Sequence, residues 1–183
     1  MAVRPVRIFG DPVLRQKAVE VTAFDETLRQ LVADMIETVT AYHGVGLAAN
    51  QVGVLQRVLV VDVPLDDERR AQHTLVNPVV TTREGSESGE EGCLSIPGIY
   101  EEITRSRRIQ VRGLDELGGP VLLEPEGYLA RAILHEIDHL DGVLFVDRLS
   151  PLKRQFLRHS LEALARGEFP DDYRPPLLPG GLP

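Results

Sequence analysis

The chain has 183 residues, which is enough for one well-buried core and too few for two comfortable domains. Its apolar fraction of 43% and charged fraction of 26% are ordinary for a globular protein. The formal net charge of −8 argues against a general nucleic-acid binder such as a DNA-binding protein, and a single cysteine excludes an internal disulfide.

No targeting or membrane segment is evident in the sequence. Residues 1–15 contain no apolar run of signal-peptide length, and no stretch approaches the length of a membrane span. A lone cysteine also fits a reducing compartment. We therefore expect a cytoplasmic protein with no membrane partner.

Two helices are predicted in the first quarter of the chain. Asp11 and Pro12 have the residue types of an N-cap and a first helical position, which predicts a short helix over 10–17. A longer amphipathic helix is predicted from Asp25 to Tyr42. Its apolar residues recur at spacings of three and four: Leu28, Leu31, Val32, Met35, Ile36 and Val39.

Residues 44–51 are unusually small and glycine-rich. One interpretation is a flexible connector between a helix and a strand. The other rests on Gln51, whose amide can donate a hydrogen bond to a carbonyl oxygen that becomes negative during attack. The sequence alone leaves both open.

Short β-branched or alternating segments follow, and these predict strands. They are 57–63, 74–80, 108–112 and 121–123. Residues 66–72 are expected to form a charged loop, and the polar stretch 81–89 a hairpin that leads toward Cys93. Strands of this kind, without regular alternation with helices, favour an α+β fold with short antiparallel or mixed sheets.

Cys93 lies in a polar, turn-rich segment between Gly92 and Gly98. The ordinary interpretation of a lone cysteine is a small buried hydrophobic residue. The alternative is a metal ligand, because glycines on both sides let the backbone approach a ligand closely.

A helix is predicted over 126–141, and it carries His135 and His139 four residues apart on one face. Glu136 lies about 100° further round the helix, where a carboxylate can take a proton from a metal-bound water. The plainer interpretation is two surface histidines. A third ligand is needed for a catalytic ion, and a cysteine with two histidines leaves a fourth position open for water. The downstream alternatives to Cys93 are Asp141, Asp147, His159 and Glu162.

Ser150 and Pro151 predict the start of a last helix that ends near Arg166. Five basic residues lie on or beside it, against one acid, Glu162. They are Arg148, Lys153, Arg154, Arg158 and Arg166. A solvated helix face explains this charge as well as a binding surface does. Residues 168–183 are rich in proline and are expected to form a disordered tail after a single catalytic domain over 1–167.

Three motifs occur in one order along the chain: 44–51 (GVGLAANQ), 91–95 (EGCLS) and 135–139 (HEIDH). In this the chain resembles the peptide deformylases of bacterial type with a C-terminal helix, and the resemblance covers roughly residues 5–165. It implies short sheets packed around a central HExxH helix, with further helices at both ends. It also implies hydrolysis of the N-formyl group from the initiator methionine of new polypeptides, which yields formate and a free N-terminus.

The resemblance assigns roles to particular residues. It implies Cys93, His135 and His139 as ligands of one divalent ion and Glu136 as the proton carrier. The Gln51 amide and the Leu94 N–H are expected to stabilise the oxyanion. It further implies that Val45, Tyr128 and Ala132 hold the methionine side chain and that substrate backbone pairs near Gly46 and Gly92.

Two further points follow from the same resemblance. In the family, an arginine after the cysteine motif pairs with the acid of the metal helix, so Arg105 is expected to pair with Asp138. The alternative is that Asp138 is an independent acid on the surface of the helix. Two positions depart from the common pattern of the family. Leu134 stands where many relatives have glutamine, and position 50 is Asn, a variant that the family allows.

The expected metal differs between the two lines of reasoning. A thiolate with two imidazoles favours Zn by ligand softness. The resemblance implies Fe(II) in the cell, with Zn, Ni or Co possible in a purified sample. It also implies formylmethionyl nascent peptides as substrates, ribosome contact near the exit tunnel through residues 151–166, and a monomer.

Two rival functions belong to other classes. An HExxH metalloprotease shares the helix but needs a third ligand downstream of His139. A non-catalytic, metal-binding and ribosome-associated protein could keep the fold without the reaction.

Overall fold

The computed structural model describes residues 2–65 and 69–175. In chain order, the described residues form α1 (Glu26–Ala41), β1 (Gly46–Ala48), β2 (Val58–Pro64), β3 (Arg70–Glu84), β4 (Glu87–Cys93), β5 (Ile96–Arg105), β6 (Arg108–Leu114), β7 (Pro120–Leu123), α2 (Gly127–Leu140) and α3 (Pro151–Ala165). Short 3₁₀ turns occupy Pro12–Arg15, Ala49–Val52 and Phe145–Arg148.

The predicted helices are confirmed, and side chains cap three of them. The carboxylate of Asp25 accepts from the Leu28 amide at 3.1 Å, and the Ser150 hydroxyl accepts from the Lys153 amide at 3.3 Å. Asp11 likewise accepts from the Val13 amide at 2.9 Å, but the helix that it begins is a single 3₁₀ turn. These contacts satisfy amide groups that have no partner within the first turn of a helix.

In the described part of the chain, five strands form an antiparallel sheet in the order β1-β2-β3-β6-β7. Helices pack on both faces, which explains why β2 is apolar at every position except Asp62. Val58 and Val60 belong to the core that α1 shares, whereas Leu59 and Val61 belong to the core that α2 shares. Successive side chains of a strand point to opposite faces, so β2 contributes to both cores.

Strands β4 and β5 form a separate two-stranded sheet on the other side of α2. Arg131 of α2 connects the helix to this sheet by donating to the carbonyl oxygens of Ile103 and Glu87, each at 2.7 Å. The register of the β4–β5 pair shifts between Glu91 and Cys93. Helix α2 is thereby buried between the two sheets, and every residue from Ala130 to Leu140 is buried. The α+β fold around a central helix is confirmed.

Several strand boundaries differ from the prediction. Residues 70–72, expected in a charged loop, begin the 15-residue strand β3, while residues 66–68 of that loop lie outside the described residues. The stretch 81–89 does not form one hairpin, because β3 pairs with β6 and β4 pairs with β5. Neither β1 nor β5 was predicted; β5 contains Pro97, Gly98 and two exposed or half-exposed acids, which hide its alternation.

The flexible-connector interpretation of residues 44–51 is wrong. Gly46–Ala48 pair with β2, and every residue from Gly46 to Val52 is buried. The end of the chain is described only in part: residues 168–175 follow α3, and residues 176–183 of the expected disordered tail lie outside the described residues. The boundary of the catalytic domain at residue 167 stays a prediction. Within residues 2–65 and 69–175, no helix combines the length and apolar character needed to cross a bilayer.

Candidate active site

Helix α2 and the end of β4 bring three potential metal ligands together. The Sγ of Cys93 lies 3.2 Å from Nε2 of His139, and the donor atoms of Cys93, His135 and His139 all lie within 4.8 Å of one another. His135 is 8% exposed and His139 is 1% exposed, so the surface-histidine interpretation is wrong. A half-buried thiol beside two buried imidazoles is typical of a transition-metal site.

The downstream alternatives for a third ligand are engaged elsewhere or exposed. Asp141 accepts from Arg57 at 2.8 Å, Asp147 pairs with Arg15, and Glu162 accepts from Arg158 at 2.7 Å. His159 is exposed on α3. This distribution removes the ligand that the metalloprotease interpretation requires.

A carboxylate that the sequence analysis left without a role orients the first histidine. Glu91 Oε2 lies 2.9 Å from Nδ1 of His135, so the imidazole N–H donates to this carboxylate and Nε2 is left to face the cluster. Burial alone would raise the pKa of Glu91, but hydrogen bonds from Arg105 and His135 lower it to about 2. Metal-bound histidines commonly donate their other ring nitrogen to an acid, and an acid two residues before Cys93 was the available signal.

Arg105 extends this support through two acids. Its guanidinium donates to Glu91 Oε1 at 2.5 Å and to Asp138 Oδ2 at 2.7 Å, and its side chain is 3% exposed. The expected pairing of Arg105 with Asp138 is confirmed, and Asp138 is buried rather than an independent surface acid. Arg131 also donates to Glu91 Oε1 at 2.8 Å, and Arg148 donates to Asp138 Oδ2 at 2.6 Å. Glu91 and Asp138 therefore both have cationic partners, as burial of their charge requires.

Glu136 lies beside the cluster in a buried position and is 4% exposed. Its Oε1 fills the space above Gly46, where any Cβ would lie 2.5 Å from that oxygen. Its Oε2 is buried and has no hydrogen-bond partner among the described residues. Burial raises the pKa of Glu136 to about 7, although the positive charges of His135 and Arg105 oppose that shift. A carboxylate in such a place can exchange a proton near neutral pH.

The side-chain amide of Gln51 has a fixed orientation. Its Oε1 accepts from the Ala48 amide at 2.8 Å, so its NH₂ group points the other way. That group donates to Ser95 Oγ at 3.1 Å and lies 3.6 Å from Cys93 Sγ. Gln51 is thus a buried donor at the cluster.

One cleft of about 440 Å³ is lined by Cys93, His135, Glu136, Gln51, Glu91 and Arg131. The residues expected at the substrate lie on its walls: Val45, Gly46, Gly92, Leu94, Tyr128 and Ala132. Four lining residues lie after α3 and were not predicted: Pro170, Asp172, Tyr173 and Arg174. The cleft therefore joins α2, β1, the turn after β4 and the segment after α3 around the cluster.

Comparison with known proteins gives a consistent result. The family described as Polypeptide deformylase matches residues 3–155 of the chain. The chain is 49% identical to the peptide deformylase of Alkalilimnicola ehrlichii, over 91% of this chain and 93% of that protein. The crystal structure of a peptide deformylase from Legionella pneumophila is similar at a TM-score of 0.83 and 42% identity, covering 91% of this chain and 98% of that one. The peptide deformylase structure from Thermus thermophilus is similar at a TM-score of 0.83 and 47% identity, covering 90% and 99%.

Proposed function

The chain belongs to the polypeptide deformylase family, and from that premise we propose that Cys93, His135 and His139 hold its metal ion while Glu136 carries the proton. The enzyme is a metal-dependent hydrolase that removes the N-formyl group from nascent polypeptides, releasing formate and a free N-terminus. One observation supports the assignment most directly, namely the 3.2 Å contact between Cys93 Sγ and His139 Nε2.

The donor set suits a divalent transition metal. A thiolate and two imidazoles are the ligands that such ions prefer, and Glu91 fixes His135 so that Nε2 faces the thiol. The chemistry that a divalent cation supplies in this setting is a coordinated water molecule whose pKa falls toward about 7.

Glu136 is proposed to accept the proton of the attacking water and return it to the leaving amine. Its unpaired Oε2 and its raised pKa support that role. A cation beside it favours the charged form and lowers this pKa, which keeps the carboxylate able to accept a proton at neutral pH.

Gln51 and the Leu94 N–H are proposed to stabilise the oxyanion of the tetrahedral intermediate. The Ala48 amide holds the Gln51 side chain with its NH₂ group toward Cys93, which supports the assignment of the side chain. Leu94 directly follows Cys93 in the turn and lines the cleft. Donors of this kind contribute about 2.7 to 4 kcal/mol each to the transition state.

We propose that Val45, Tyr128 and Ala132 hold the methionine side chain, because they line the cleft beside Glu136. Substrate backbone is proposed to pair near Gly46 and Gly92. Neither position has room for a side chain. A Cβ at Gly46 would clash with Glu136, and a Cβ at Gly92 would lie 2.5 Å from the Tyr100 ring. Added strands of this kind bind through main-chain hydrogen bonds.

Fe(II) is the proposed metal in the cell, with Zn, Ni or Co in purified samples. The donor set supports any of these, since thiolate and imidazole do not separate them sharply. Metal analysis of protein purified without oxygen tests the identity: iron at one equivalent per chain with full activity is expected. Full activity with zinc alone would contradict it.

We further propose a cytoplasmic monomer that approaches the ribosome through α3. Two apolar residues support docking, since Phe156 and Leu152 are 77% and 62% exposed on α3. The positive charge of this region supports ribosome docking less than the sequence suggested, because four of its five basic residues pair with acids. They are Arg148, Lys153, Arg158 and Arg166. Phe156→Ala is expected to weaken ribosome co-sedimentation without changing activity on a short formyl peptide, and unchanged sedimentation would contradict docking.

Formate release from a formyl-Met-Ala-Ser peptide tests the catalytic assignment. Replacing a positioned proton carrier typically lowers the rate by about 10² to 10⁴. Glu136→Gln should show a loss of that size while retaining its metal, and Glu162→Gln on exposed α3 is the matched control. Retained turnover in Glu136→Gln would remove Glu136 from this role. Cleavage of an unformylated peptide would instead favour the metalloprotease.

A further inference from the structure

The chain after α3 folds back onto the active-site cleft. Gly167, in a left-handed conformation with φ of +80°, ends the helix, and the Glu168 amide donates to the Ala163 carbonyl at 3.0 Å. Residues 170–174, here termed the tail wall, then form a turn in which the Tyr173 amide donates to the Pro170 carbonyl at 3.0 Å. These local hydrogen bonds give the tail wall a defined shape.

The tail wall packs against β5, another wall of the cleft. The Pro170 ring occupies the space beside Gly98 of β5, where any Cβ would lie 2.6 Å from its Cγ. The Tyr173 ring stacks on Phe169 with centroids 4.8 Å apart. Tyr173 is half-buried, and burial together with the nearby Tyr42 hydroxyl raises its pKa. Tyr173 and Tyr42, at the end of α1, line the same cleft.

Four residues of this segment share the cleft with Cys93, His135 and Glu136. They lie beyond residue 155, where the match to the family ends. The catalytic groups lie within the matched residues, whereas the tail wall lies outside them. A cleft wall outside the matched residues is suited to substrate selection rather than to the reaction itself.

An extended substrate determines which of its residues can reach this wall. Side chains of an extended peptide alternate between two faces, so the first and third residues point the same way. If the methionine side chain enters the cleft, the third side chain faces the cleft as well. A half-buried tyrosine offers that side chain a flat, mainly apolar surface. Asp172 and Arg174 carry opposite charges and add no net charge.

We propose that the tail wall is a specificity element in which Tyr173 contacts the third residue of the formylated peptide and favours an apolar side chain there. This rests on the proposed function, because it takes the formyl group to lie at the Cys93, His135 and His139 cluster. Tyr173 is not among the groups assigned to the reaction, so its contact is expected to lower KM and leave kcat unchanged.

The test compares Tyr173→Ala with the unchanged full-length enzyme on two amidated peptides, formyl-Met-Ala-Leu and formyl-Met-Ala-Gly. We expect kcat/KM to fall by about two- to tenfold on the leucine peptide, through KM, and to be unchanged on the glycine peptide. Tyr173→Phe should retain the wild-type preference because the ring is kept. Glu168→Gln, an exposed residue before the tail wall and outside the cleft lining, is the matched control.

Other outcomes would overturn the proposal. An equal loss of kcat/KM on both peptides would mean that Tyr173 only supports the structure. A gain on both peptides would mean that the segment shields the site. No change on either would mean that Tyr173 does not touch the substrate. A chain ended after Phe169 should lose the preference, and one ended after Pro175 should keep it. Failure of the deformylase function is distinguishable, because the unchanged enzyme would then release formate from neither peptide.

Discussion

Two sites in this enzyme pair buried carboxylates with arginine, one beside the active site and one at the N-terminus. The α2 ion network consists of Glu91, Arg105, Arg131, Asp138 and Arg148. The N-terminal anchor consists of Asp34 on α1 with its hydrogen-bond donors, the Arg4 guanidinium, the Gln30 amide and the Ala2 backbone amide. In both, an acid that is less than a tenth exposed accepts from an arginine.

The difference lies in what the acid touches next and in how dry the pair is. Glu91 contacts His135, whereas Asp34 holds only the first residues of the chain against α1. The Arg105 side chain is 3% exposed, but that of Arg4 is 34% exposed. Removing one member of a dry pair strands the other charge, while a half-exposed pair can be solvated by water. Burial of the pair therefore determines how much stability is lost when one partner is removed. The residue next to the acid determines whether activity is lost as well.

Arg105→Met should give the largest effect and tests whether the α2 ion network serves the site. It leaves Glu91 and Asp138 short of their shared cation, which typically costs about 3 to 5 kcal/mol of unfolding free energy. Loosening the acid that orients His135 should also weaken metal binding by about 10- to 100-fold. Urea unfolding measured with a chelator and again at saturating metal separates these effects. Lower stability with unchanged metal affinity would reduce the network to a structural role.

The comparison also shows what the sequence could reveal. His135, His139 and Glu136 were predictable because their relation is set by local helix geometry. Glu91 was missed because its contact with His135 joins positions 44 residues apart, on a strand and a helix whose docking no local pattern encodes. Arg105 occupies an inward position of β5. From the sequence alone it cannot be told apart from a solvent-exposed arginine, because the two acids that pair with it lie elsewhere in the chain. Its pairing with Asp138 came from resemblance alone.

The fold divides in the same way. Helices with regular apolar spacing and capping residues were predicted nearly to their ends. Strand β5 was not, because Pro97 and Gly98 interrupt its alternation and its core contacts come from distant parts of the chain. The tail wall was expected to be disordered because proline content is a local signal. The space that Pro170 fills beside Gly98 is a tertiary feature.

Asp34→Asn should give a smaller effect and sharpens the comparison through pH. Burial would raise the pKa of Asp34, but hydrogen bonds from Gln30, the Ala2 amide and Arg4 hold it below its ordinary value of 3.8. A lowered pKa means that the carboxylate stabilises the fold above pH 3.8 and that this contribution is lost as pH falls through the lower folded value.

The variant should lose about 1 kcal/mol at neutral pH, because one charge-assisted hydrogen bond is weakened. The difference from the unchanged enzyme should shrink below pH 4. Urea unfolding between pH 3 and pH 7 measures this difference in unfolding free energy. Metal content and formate release, both measured at pH 7, are the controls and should stay unchanged. A constant difference across that range would show that the Asp34 charge does not stabilise the fold.

Arg158→Ala should give the smallest effect and marks the exposed limit of the comparison. Arg158 and Glu162 pair at 2.7 Å on α3, with side chains 76% and 50% exposed. The pair shifts the pKa of Glu162 downward, yet water and salt screen both charges. The arginine also precedes the glutamate, which is the weaker of the two helical orientations. We expect the urea midpoint to stay within experimental error at low and at high salt. A loss as large as that of Asp34→Asn would show that exposure does not separate these ion pairs, since the charges and distances are otherwise alike.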